Sequence, residues 1–469
     1  MLRSALDLEL PFPEQLQHIA ADVRRAGGRL LVVGGSIRDG LLGRPVEDLD
    51  LEVYGLEPTR LEAVLARRFE LDRVGQSFGV LKLRGLPIDV ALPRRESKRG
   101  LGHRGFEIHS DPNLPFAEAA RRRDFTINAL GLDPRSGEVL DAHGGRRDLR
   151  RGVLRHVSEA FAEDPLRVLR AMQFAARLCF EVANETIDRC RTIDIEGLAS
   201  ERIFEEWRKL VLAGREISRG LDVLRRTRWL RYFPELAALV DCPQDPTWHP
   251  EGDVWRHTLH VMDAFAARRL GEPREDLIVG LACLCHDLGK PATTRFADGR
   301  WRSPGHEADG DMPTRRFLGR MTSERRLIDS VVPLVREHLK PFQLFDAAAG
   351  PAAIRRLARR VGRIDRLARV ARADHAGRPP LPAEPFPAVD WLEARAAELA
   401  LEAQAPKPIV LGRHLLEMGF APGPALGRAL AALFERQLDG VFEDLDGGRQ
   451  EARRLMAASA TPDEPSATK

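Results

Sequence analysis

The chain has 469 residues, 43% of them hydrophobic, and a formal charge of only +3, because 73 basic side chains nearly balance 70 acidic ones. This length predicts three or four domains, and five cysteines without CxxC spacing favour neither a disulfide framework nor a zinc site. The start carries Asp7 and Glu9 and is no signal peptide, and no apolar run is long enough to span a bilayer, so we expect a cytoplasmic protein without membrane contacts.

Arginines are grouped along the chain, in residues 94–104, 121–123, 146–151 and 355–372. Local basic patches matter more than net charge for binding a polyanion. The grouping therefore favours contact with nucleic acid. The alternative is a general use of arginine in place of lysine.

The first element is the apolar run 30–33, which predicts a buried strand ended by Gly34 and Gly35. Ser36 is predicted to cap a short helix. Glycines let the backbone approach a phosphate, and the N–H groups of a helix start attract anions. Arg38 lies one turn further along. Alone, the pattern is also that of an ordinary turn.

Acidic and apolar residues alternate strictly in the next segment, residues 48–53. Alternation predicts a strand with Asp48 and Asp50 side by side on one face. Two such carboxylates can bridge two Mg²⁺ ions roughly 3.5–4 Å apart. Asp89 lies on a second predicted strand and is either a third catalytic carboxylate or a structural acid.

The segment GGSIRDGLLGRPVEDLDLEVYG, residues 34–55, resembles the opening motif of the tRNA nucleotidyltransferase and poly(A) polymerase family, within the polymerase-β-like superfamily. RRDFTINAL at 122–130, DAHGG at 141–145, EDPLRVLR at 163–170 and SERI at 200–203 resemble the later motifs in order. The resemblance implies that a set of side chains binds the nucleotide: Arg122, Arg123, Asp124, Asn128, Asp164, Arg167 and Arg170.

The fourth motif suggests how bases are chosen without a template. Residues 161–180 have helical apolar spacing, which predicts Asp164 and Arg167 on one helix face. A carboxylate accepts hydrogen bonds and a guanidinium donates them. Cytosine and adenine each present an amino donor beside an unprotonated ring nitrogen, whereas uracil and guanine present the reverse. The alternative is a surface salt bridge.

A second signature, His286-Asp287, ends an apolar helical run at 277–288. Its order along the chain with His257 and Asp374 resembles the HD phosphohydrolase superfamily. The resemblance implies a divalent metal site, with Mn²⁺, Ni²⁺, Fe²⁺ and Mg²⁺ all open. Any single histidine would otherwise be a structural one. The implied core ligands are His257, His286, Asp287 and Asp374, and a second metal would use His306 and His338.

The C-terminal part follows a proline-rich linker at 378–387, and predicted helices begin at 408–416 and at 427–438. It resembles the helical body and tail of the nucleotidyltransferases, which implies binding of tRNA. A helical packing domain without RNA contacts is the alternative. The predicted fold is α+β, a head with a small mixed sheet followed by all-α domains: head 1–150, neck 151–235, HD domain 236–380, body and tail 381–456, and flexible end 457–469.

These motifs together predict an enzyme that adds CCA to the 3′ end of tRNA from CTP and ATP, with Mg²⁺ at the head and metal-dependent phosphohydrolysis at the HD domain. Two alternatives are an adenosine-only transferase and an HD phosphohydrolase whose head is an RNA-binding scaffold. The segment 94–115 lacks periodicity and is predicted to be a loop, either a mobile element near the site or a solvated insertion.

Overall fold

The chain divides into two compact units, residues 1–234 and 235–469. The structure, a computed structural model, describes residues 8–72, 80–98 and 106–460. The predicted limits of the head, neck, HD domain, and body and tail stay predictions. Among the described helices, none combines the length and apolarity needed to cross a membrane.

The first unit contains a mixed sheet of seven strands. The strands of this unit are β1 (Arg29–Val33), β2 (Leu49–Tyr54), β3 (Leu71–Asp72), β4 (Val80–Leu83), β5 (Ile88–Ala91), β6 (Arg94–Lys98), β7 (Phe106–Ser110), β8 (Gly131–Leu132), β9 (Val139–Leu140), β10 (Val153–Leu154) and β11 (Glu181–Val182). The seven strands of the mixed sheet lie side by side in the order β3-β4-β5-β2-β1-β8-β9. Only β2 and β5 run parallel among these described neighbours.

The central strands form where the apolar patterns predict them. In β1 every residue from Leu30 to Val33 is buried, and in β2 the apolar side chains enter the core while Asp50 stays exposed. The prediction of a loop over 94–115 is wrong for residues 94–98 and 106–110, because β6 and β7 pair as an antiparallel ribbon. Residues 99–105 of that segment lie outside the described residues.

Helices pack around the sheet and extend beyond it. They are α1 (Pro13–Arg25), α2 (Gly35–Leu41), α3 (Pro58–Leu65), α4 (Phe116–Ala120), α5 (Gly145–Arg151), α6 (Leu166–Leu178), α7 (Asn184–Arg191), α8 (Ser200–Ala213) and α9 (Ile217–Arg226). Helix α6 packs against α8 and α9. It begins later than predicted: Pro165 is its N-cap and Asp164 is extended (φ −117°, ψ 105°). A residue before proline avoids the helical region, so Asp164 stands outside the helix.

The second unit is helical, with α10 (Pro234–Ala237) at the junction. Its further elements are α11 (Val254–Ala267), α12 (Pro273–Cys285), α13 (Lys290–Thr293), β12 (Arg295–Ala297), β13 (Arg300–Arg302), α14 (His306–Asp309), α15 (Asp311–Gly319), α16 (Arg325–Glu337), α17 (Lys340–Asp346), α18 (Pro351–Val361), α19 (Ile364–Ala376), α20 (Pro387–Glu398), α21 (Gly412–Glu417), α22 (Pro424–Leu438) and α23 (Leu445–Ala460). Helix α12 packs against α11, α16 and α19.

The predicted fold class is confirmed in its main lines: a head with a mixed sheet, then helical regions. Two small additions break the all-α pattern, the parallel pair β10–β11 and the hairpin β12–β13. Helix α22 begins at Pro424, three residues before the predicted start at 427, because proline is favoured in the first turn of a helix. The last helix continues to Ala460, and residues 461–469 of the predicted flexible end lie outside the described part.

Candidate active sites

Strand β2 brings two predicted metal ligands to the wall of a large cavity in the first unit. Asp48 precedes the strand, Asp50 lies within it, and both line the cavity. Asp89 lies opposite Asp50 on β5, and its carboxylate is 3.0 Å from Lys82 Nζ. Asp50 and Asp89 also line a smaller cavity of about 250 Å³. The three predicted acids are therefore neighbours on adjacent parts of the sheet.

The surroundings of Asp50 suit a bound cation. Removal of its carboxyl group from water raises the pKa of Asp50, the Arg123 guanidinium opposes the rise, and the Asp48 and Asp89 carboxylates add to it. Neighbouring carboxylates repel one another, and a cation between them removes the repulsion. Oxygen ligands are those that Mg²⁺ prefers. The donor set therefore fits a hard divalent ion.

Gly34 is required at the turn between β1 and α2 for two reasons. Its φ of +80° lies in the region that favours glycine. A Cβ atom at this position would lie 3.1 Å from Arg123 Nη1 and 3.2 Å from Asp50 Oδ2. The predicted capping role of Ser36 is wrong, because Gly34 is the N-cap and α2 already begins at Gly35, which places Ser36 inside the first turn.

A chain of hydrogen bonds joins the first, second and fourth motifs. Arg38 Nη1 donates to Asn128 Oδ1 at 2.6 Å, and Asn128 Nδ2 donates to Asp124 Oδ1 at 2.9 Å. Arg170 Nε donates to Asp124 Oδ2 at 2.6 Å. Burial acts to raise the pKa of Asp124, but Arg170 and Asn128 outweigh it, so the pKa is lowered. The network holds four predicted nucleotide-binding residues in one arrangement.

The two arginines of the second motif reach back to β2. Arg122 Nη2 lies 3.5 Å from Glu52 Oε1, and Arg123 Nη2 lies 3.9 Å from Glu52 Oε2. The Tyr54 hydroxyl donates to the same carboxylate at 2.6 Å, and burial with the Glu52 charge raises the pKa of Tyr54. Arg123 Nη1 also donates to the carbonyl oxygen of Asn128 at 3.2 Å. Buried Glu52 thus orients two cations that line the cavity.

The predicted base-reading pair lies together, although not on one helix face as predicted. The carboxylate of Asp164 accepts from the Leu166 N–H at 3.1 Å and from Arg202 Nη2 at 2.9 Å. Arg167 Nη1 donates to the Ala160 carbonyl at 2.6 Å, and its Nη2 donates to the Arg122 carbonyl at 2.5 Å. Backbone and Arg202 contacts therefore orient both side chains.

One cavity of about 1050 Å³ collects almost all of the predicted head residues. This volume is larger than a nucleoside triphosphate requires. Asp89 is the predicted residue outside its lining. The predicted residues that line it are Gly34, Gly35, Ser36, Arg38, Asp48, Asp50, Arg122, Arg123, Asp124, Asn128, Asp164, Arg167 and Arg170.

The six predicted metal ligands of the second unit meet at one point, although they come from five places in the chain. His257 lies on α11, and His286 and Asp287 follow α12. His306 begins α14, His338 follows α16, and Asp374 lies near the end of α19. Two of the three groups of potential ligands found among the described residues, each with ligand atoms within 4.8 Å of one another, consist of predicted ligands: His257, His286 and Asp374, and Asp287, His306 and His338. The third group, His249, Glu251 and His257, shares His257 with the first.

Short distances connect the two groups. His257 Nε2 lies 3.0 Å from Asp374 Oδ1, and His286 Nε2 lies 3.2 Å from Asp287 Oδ2 and 3.8 Å from Asp374 Oδ1. His306 Nε2 lies 3.3 Å from Asp287 Oδ1. Asp287 thus stands between the groups.

Each histidine of the cluster is oriented through its Nδ1 atom. The Nδ1 atoms of His286, His306 and His338 lie 2.7–2.8 Å from the carbonyl oxygens of Cys283, Ser303 and Val335. His257 Nδ1 lies 2.8 Å from Glu251 Oε1 and 3.1 Å from the Gly377 carbonyl. An Nδ1–H that donates in this way leaves the Nε2 lone pair facing the centre, as metal ligation requires.

Charge is concentrated and poorly compensated at the centre. His286 Nε2 and both carboxylate oxygens of Asp287 are buried and make no well-aligned hydrogen bond among the described residues, although Lys290 Nζ lies 2.8 Å from Asp287 Oδ2 as an ion pair. Burial acts to raise the pKa of Asp287, but His286 and Lys290 hold it well below its usual range. Burial opposes the protonation of His257, yet Asp374 and Glu251 raise its pKa to about 9. A divalent ion would satisfy these orphaned atoms, so the residues fit a metal.

Several residues at the two sites were not assigned from the sequence. Arg202 lies in the fifth motif and contacts Asp164. In the second unit, Glu251 accepts from His249 and His257, and Lys290 Nζ lies 2.8 Å from Asp287 Oδ2. Lys290 lies three residues after Asp287 in the sequence, and this short spacing was the available signal. No comparable signal in the sequence points to Glu251, because its contacts with His249 and His257 exist only in the folded chain.

Cys283 and Cys285 are both fully buried, in agreement with packing roles. Burial raises the pKa of both thiols. Neither belongs to the groups of potential metal ligands in the described part of the chain.

Three family descriptions match the chain. The Poly A polymerase head domain matches residues 30–155. The probable RNA and SrmB-binding site of polymerase A matches residues 180–239, and the HD domain matches residues 254–370.

Curated relatives match across most of their own length. The multifunctional CCA protein of Aromatoleum aromaticum is 39% identical over 392 residues, which cover 80% of this chain and 92% of that protein. The multifunctional CCA protein of Halorhodospira halophila is 36% identical over 410 residues, which cover 85% of this chain and 93% of that protein.

Solved structures share the fold. The Bacillus stearothermophilus CCA-adding enzyme in complex with CTP aligns with a TM-score of 0.64 at 24% identity, over 96% of this chain and 100% of that one. The Thermotoga maritima CCA-adding enzyme in complex with tRNA aligns with a TM-score of 0.58 at 17% identity, over 96% and 97%. At these identities the likeness concerns the fold.

Proposed function

The chain belongs to the multifunctional CCA protein family, nucleotidyltransferases with an HD domain, and we propose that it completes the CCA end of tRNA from CTP and ATP. The family resemblance predicted from the motifs is confirmed. The observation that carries the proposal is a single cavity that joins the paired acids, the arginines and the base-reading pair. This function requires tRNA, CTP and ATP as partners, and we expect it in the cytoplasm.

In the proposed reaction the 3′-oxygen of the RNA forms a bond to the α-phosphorus of CTP or ATP. The bond from that phosphorus to the bridging oxygen breaks, pyrophosphate leaves, and the hydroxyl proton passes to water. Asp48 and Asp50, with Asp89 beside them, are the residues that would hold Mg²⁺. Bound there, Mg²⁺ supplies Lewis-acid polarisation of the phosphate. Arg122 and Arg123, oriented by Glu52, would align the triphosphate.

Asp164 and Arg167 would select the base. Each carboxylate oxygen has two acceptor sites, so Asp164 can accept a hydrogen bond from the amino group of a base while it keeps its hydrogen bonds from the Leu166 N–H and from Arg202. Arg167 would donate to the neighbouring ring nitrogen of cytosine or adenine. Uracil and guanine would place a donor against Arg167 and an acceptor against Asp164, which leaves both groups mispaired.

The test uses tRNA that lacks its 3′ CCA, incubated with CTP alone, ATP alone or both. We expect two cytidines from CTP alone and a full CCA end from the mixture. Incorporation of ATP but never CTP would exclude this proposal in favour of the adenosine-only alternative. Asp164→Ala is the matched variant, and its preference for CTP over UTP should fall.

For the second unit we propose metal-dependent hydrolysis of a cyclic phosphodiester or a phosphomonoester. His257, His286, Asp287 and Asp374 would hold one ion, and His306 with His338 would hold a second beside Asp287. A bound ion lowers the pKa of a coordinated water toward neutrality and thereby supplies a nucleophile. The convergence of six ligands and the orphaned atoms of His286 and Asp287 support this function.

The test of hydrolysis uses purified full-length chain with Mg²⁺, Mn²⁺, Ni²⁺ or Fe²⁺ in turn. Substrates are adenosine 2′,3′-cyclic phosphate and p-nitrophenyl phosphate. Release of product with at least one ion, and its loss in His286→Ala, is the expected result. No hydrolysis with any ion would remove the hydrolytic function and leave the transferase proposal unaffected.

Helices α21, α22 and α23 are the candidate tRNA-binding body and tail. They form a small core of their own around Val410, Leu415, Leu433 and Phe442. Removal of residues 405–469 should weaken binding of tRNA in a gel-shift assay, whereas CTP binding should stay the same. Unchanged tRNA binding would favour the packing-domain alternative.

A further inference from the structure

A second cavity adjoins the histidine cluster in the second unit. The cavity beside the cluster measures about 340 Å³, and its lining includes Asp287, His338 and Asp374. The adjoining cavity measures about 290 Å³ and lies between the turn at 245–249 and the hairpin β12–β13. We call it the hairpin cavity; it is lined by Gln244, Asp245, Trp248, His249, Lys290, Arg300, Trp301, Arg302, Ser303 and His306.

The two cavities share part of their walls. Trp248, His249, Lys290 and His306 line both of them. Two of these side chains are tied to the cluster itself: Lys290 Nζ is 2.8 Å from Asp287, and His306 Nε2 is 3.3 Å from Asp287. The hairpin cavity therefore adjoins the cluster, with side chains that contact Asp287 in its wall.

Two tryptophans keep large apolar surfaces in water at this cavity. Trp248 is 57% exposed and Trp301 is 36% exposed, whereas Trp207, Trp229 and Trp255 are buried. Exposed aromatic faces that line a cavity are typical of ligand-binding surfaces. The Trp301 ring packs edge-on against Phe296 at 5.2 Å between centroids, across the β12–β13 pair. This contact orients the ring before a ligand arrives.

Positive charge surrounds the tryptophans. Arg300 is exposed and has no ion-pair partner among the described residues, and Arg302 pairs with Asp298 at 3.1 Å. Lys290 adds a third cation. The acid in the lining is Asp245, whose Oδ1 accepts from the Thr247 N–H at 2.9 Å and so stabilises the turn. The lining therefore combines π-faces with a net positive charge, which together favour a base attached to phosphate.

We propose that the hairpin cavity is a nucleoside-binding subsite, in which the base of a nucleotide stacks on Trp301 while its phosphate lies at the histidine cluster. This inference rests on the proposed hydrolytic function and deepens it. Such a subsite would bind nucleotides more tightly than phosphate esters that lack a base. Trp301 would be the residue chiefly responsible for this preference, with Trp248 and Arg300 beside it.

The first test compares two cyclic phosphodiesters that differ only in the base: adenosine 2′,3′-cyclic phosphate and methyl riboside 2,3-cyclic phosphate. Trp301→Ala should raise KM about tenfold for the adenosine compound, because stacking on an aromatic ring contributes a factor of about this size, and should leave KM for the base-free compound unchanged. Trp301→Phe keeps a stacking face and should recover most of the affinity. Trp391→Ala, which removes a tryptophan outside both cavities, should change neither.

Equal effects of Trp301→Ala on both substrates, or no effect on either, would overturn the subsite. A second measurement needs no hydrolysis: equilibrium dialysis of adenosine 3′-monophosphate against the full chain in EDTA. Here Trp301→Ala should weaken binding about tenfold relative to Trp391→Ala. Hydrolysis that is absent in every variant, with this binding difference intact, would defeat the hydrolytic function and keep the subsite. Equal binding by the two variants would defeat the subsite itself.

Discussion

The head cavity and the histidine cluster present their acidic residues in opposite ways. Asp48 and Asp50 are exposed at the wall of a cavity of about 1050 Å³. Asp287 and His286 are each 1% exposed, and the cavity beside them measures about 340 Å³. The head residues keep a large part of their surface accessible, although partial burial still raises the pKa of Asp50, whereas the cluster residues are almost completely removed from water.

The difference teaches how each site is completed. A nucleoside triphosphate carries its own charges, so the head needs room and arginines around accessible acids. At the cluster, helices from distant parts of the chain remove the ligand side chains from water when the chain folds. The cost of burying these charged side chains is offset only by opposite charges within a few ångströms. The head is therefore completed by its substrate, whereas the cluster is assembled by folding.

The largest effect should come from Asp50→Asn in the head. The variant keeps the shape of the side chain but removes a charge beside Asp48 and Asp89. We expect CTP incorporation into tRNA to fall on the order of 10³-fold, because about 4 kcal/mol of transition-state stabilisation is lost. Hydrolysis of adenosine 2′,3′-cyclic phosphate by the same sample should be unchanged. If the rate of transfer stays within tenfold of wild type, Asp50 is not a metal ligand.

The complementary change is Asp287→Ala at the cluster. Hydrolysis should fall by more than about 10²-fold, since even partners outside the coordination sphere contribute roughly 10–100-fold. Metal content, measured by plasma emission after dialysis, should fall in parallel, and CTP incorporation should persist. Retained metal with lost hydrolysis would instead give Asp287 a role without coordination.

A third prediction concerns acid stability of the head. The pKa of Asp124 is lowered in the fold, so its contribution to stability is present above the ordinary value of 3.8 and is lost as pH falls through the lower folded value. Asp124→Asn should reduce protection of α6 amides in hydrogen exchange at pH 7 by about 2 kcal/mol. The loss should shrink below pH 4. A loss that is constant with pH would contradict the lowered pKa.

The smallest effect is expected from Arg202→Ala. The guanidinium of Arg202 contacts a carboxylate that faces the cavity, and both side chains are partly exposed. Without it, Asp164 should be less well oriented, and the ratio of kcat/KM for CTP over UTP should fall about tenfold. Arg202→Lys should restore part of the ratio. Equal losses for both nucleotides would indicate a general role in folding.

The head shows what could be predicted from the sequence. Alternation in β2 gave the strand and the exposure of Asp50, because period-two patterns are local. Pairing of Asp50 with Asp89 depends on how β2 and β5 associate, and no local pattern encodes that. Asp164 shows the limit of periodicity: its spacing from Arg167 was helical, but Pro165 keeps it outside the helix.

The cluster shows a different limit. The adjacent pair His286-Asp287 was visible, and the resemblance supplied its partners, but no spacing rule brings His257 and Asp374 within 3.0 Å. Glu251 was missed for the same reason. Its carboxylate matters because it accepts from His257, and that contact exists only after α11 and the preceding turn have folded.

The register of β2 against its neighbours has one last consequence. Asp50 lies beside Val33 on one side and Asp89 on the other, and its chain neighbours Leu49 and Leu51 fill the interior. A slip by a single residue would turn those leucines into water and the acids into the core. The burial of these leucines therefore protects the chemistry: a chain paired one residue out of register would be unstable as well as inactive.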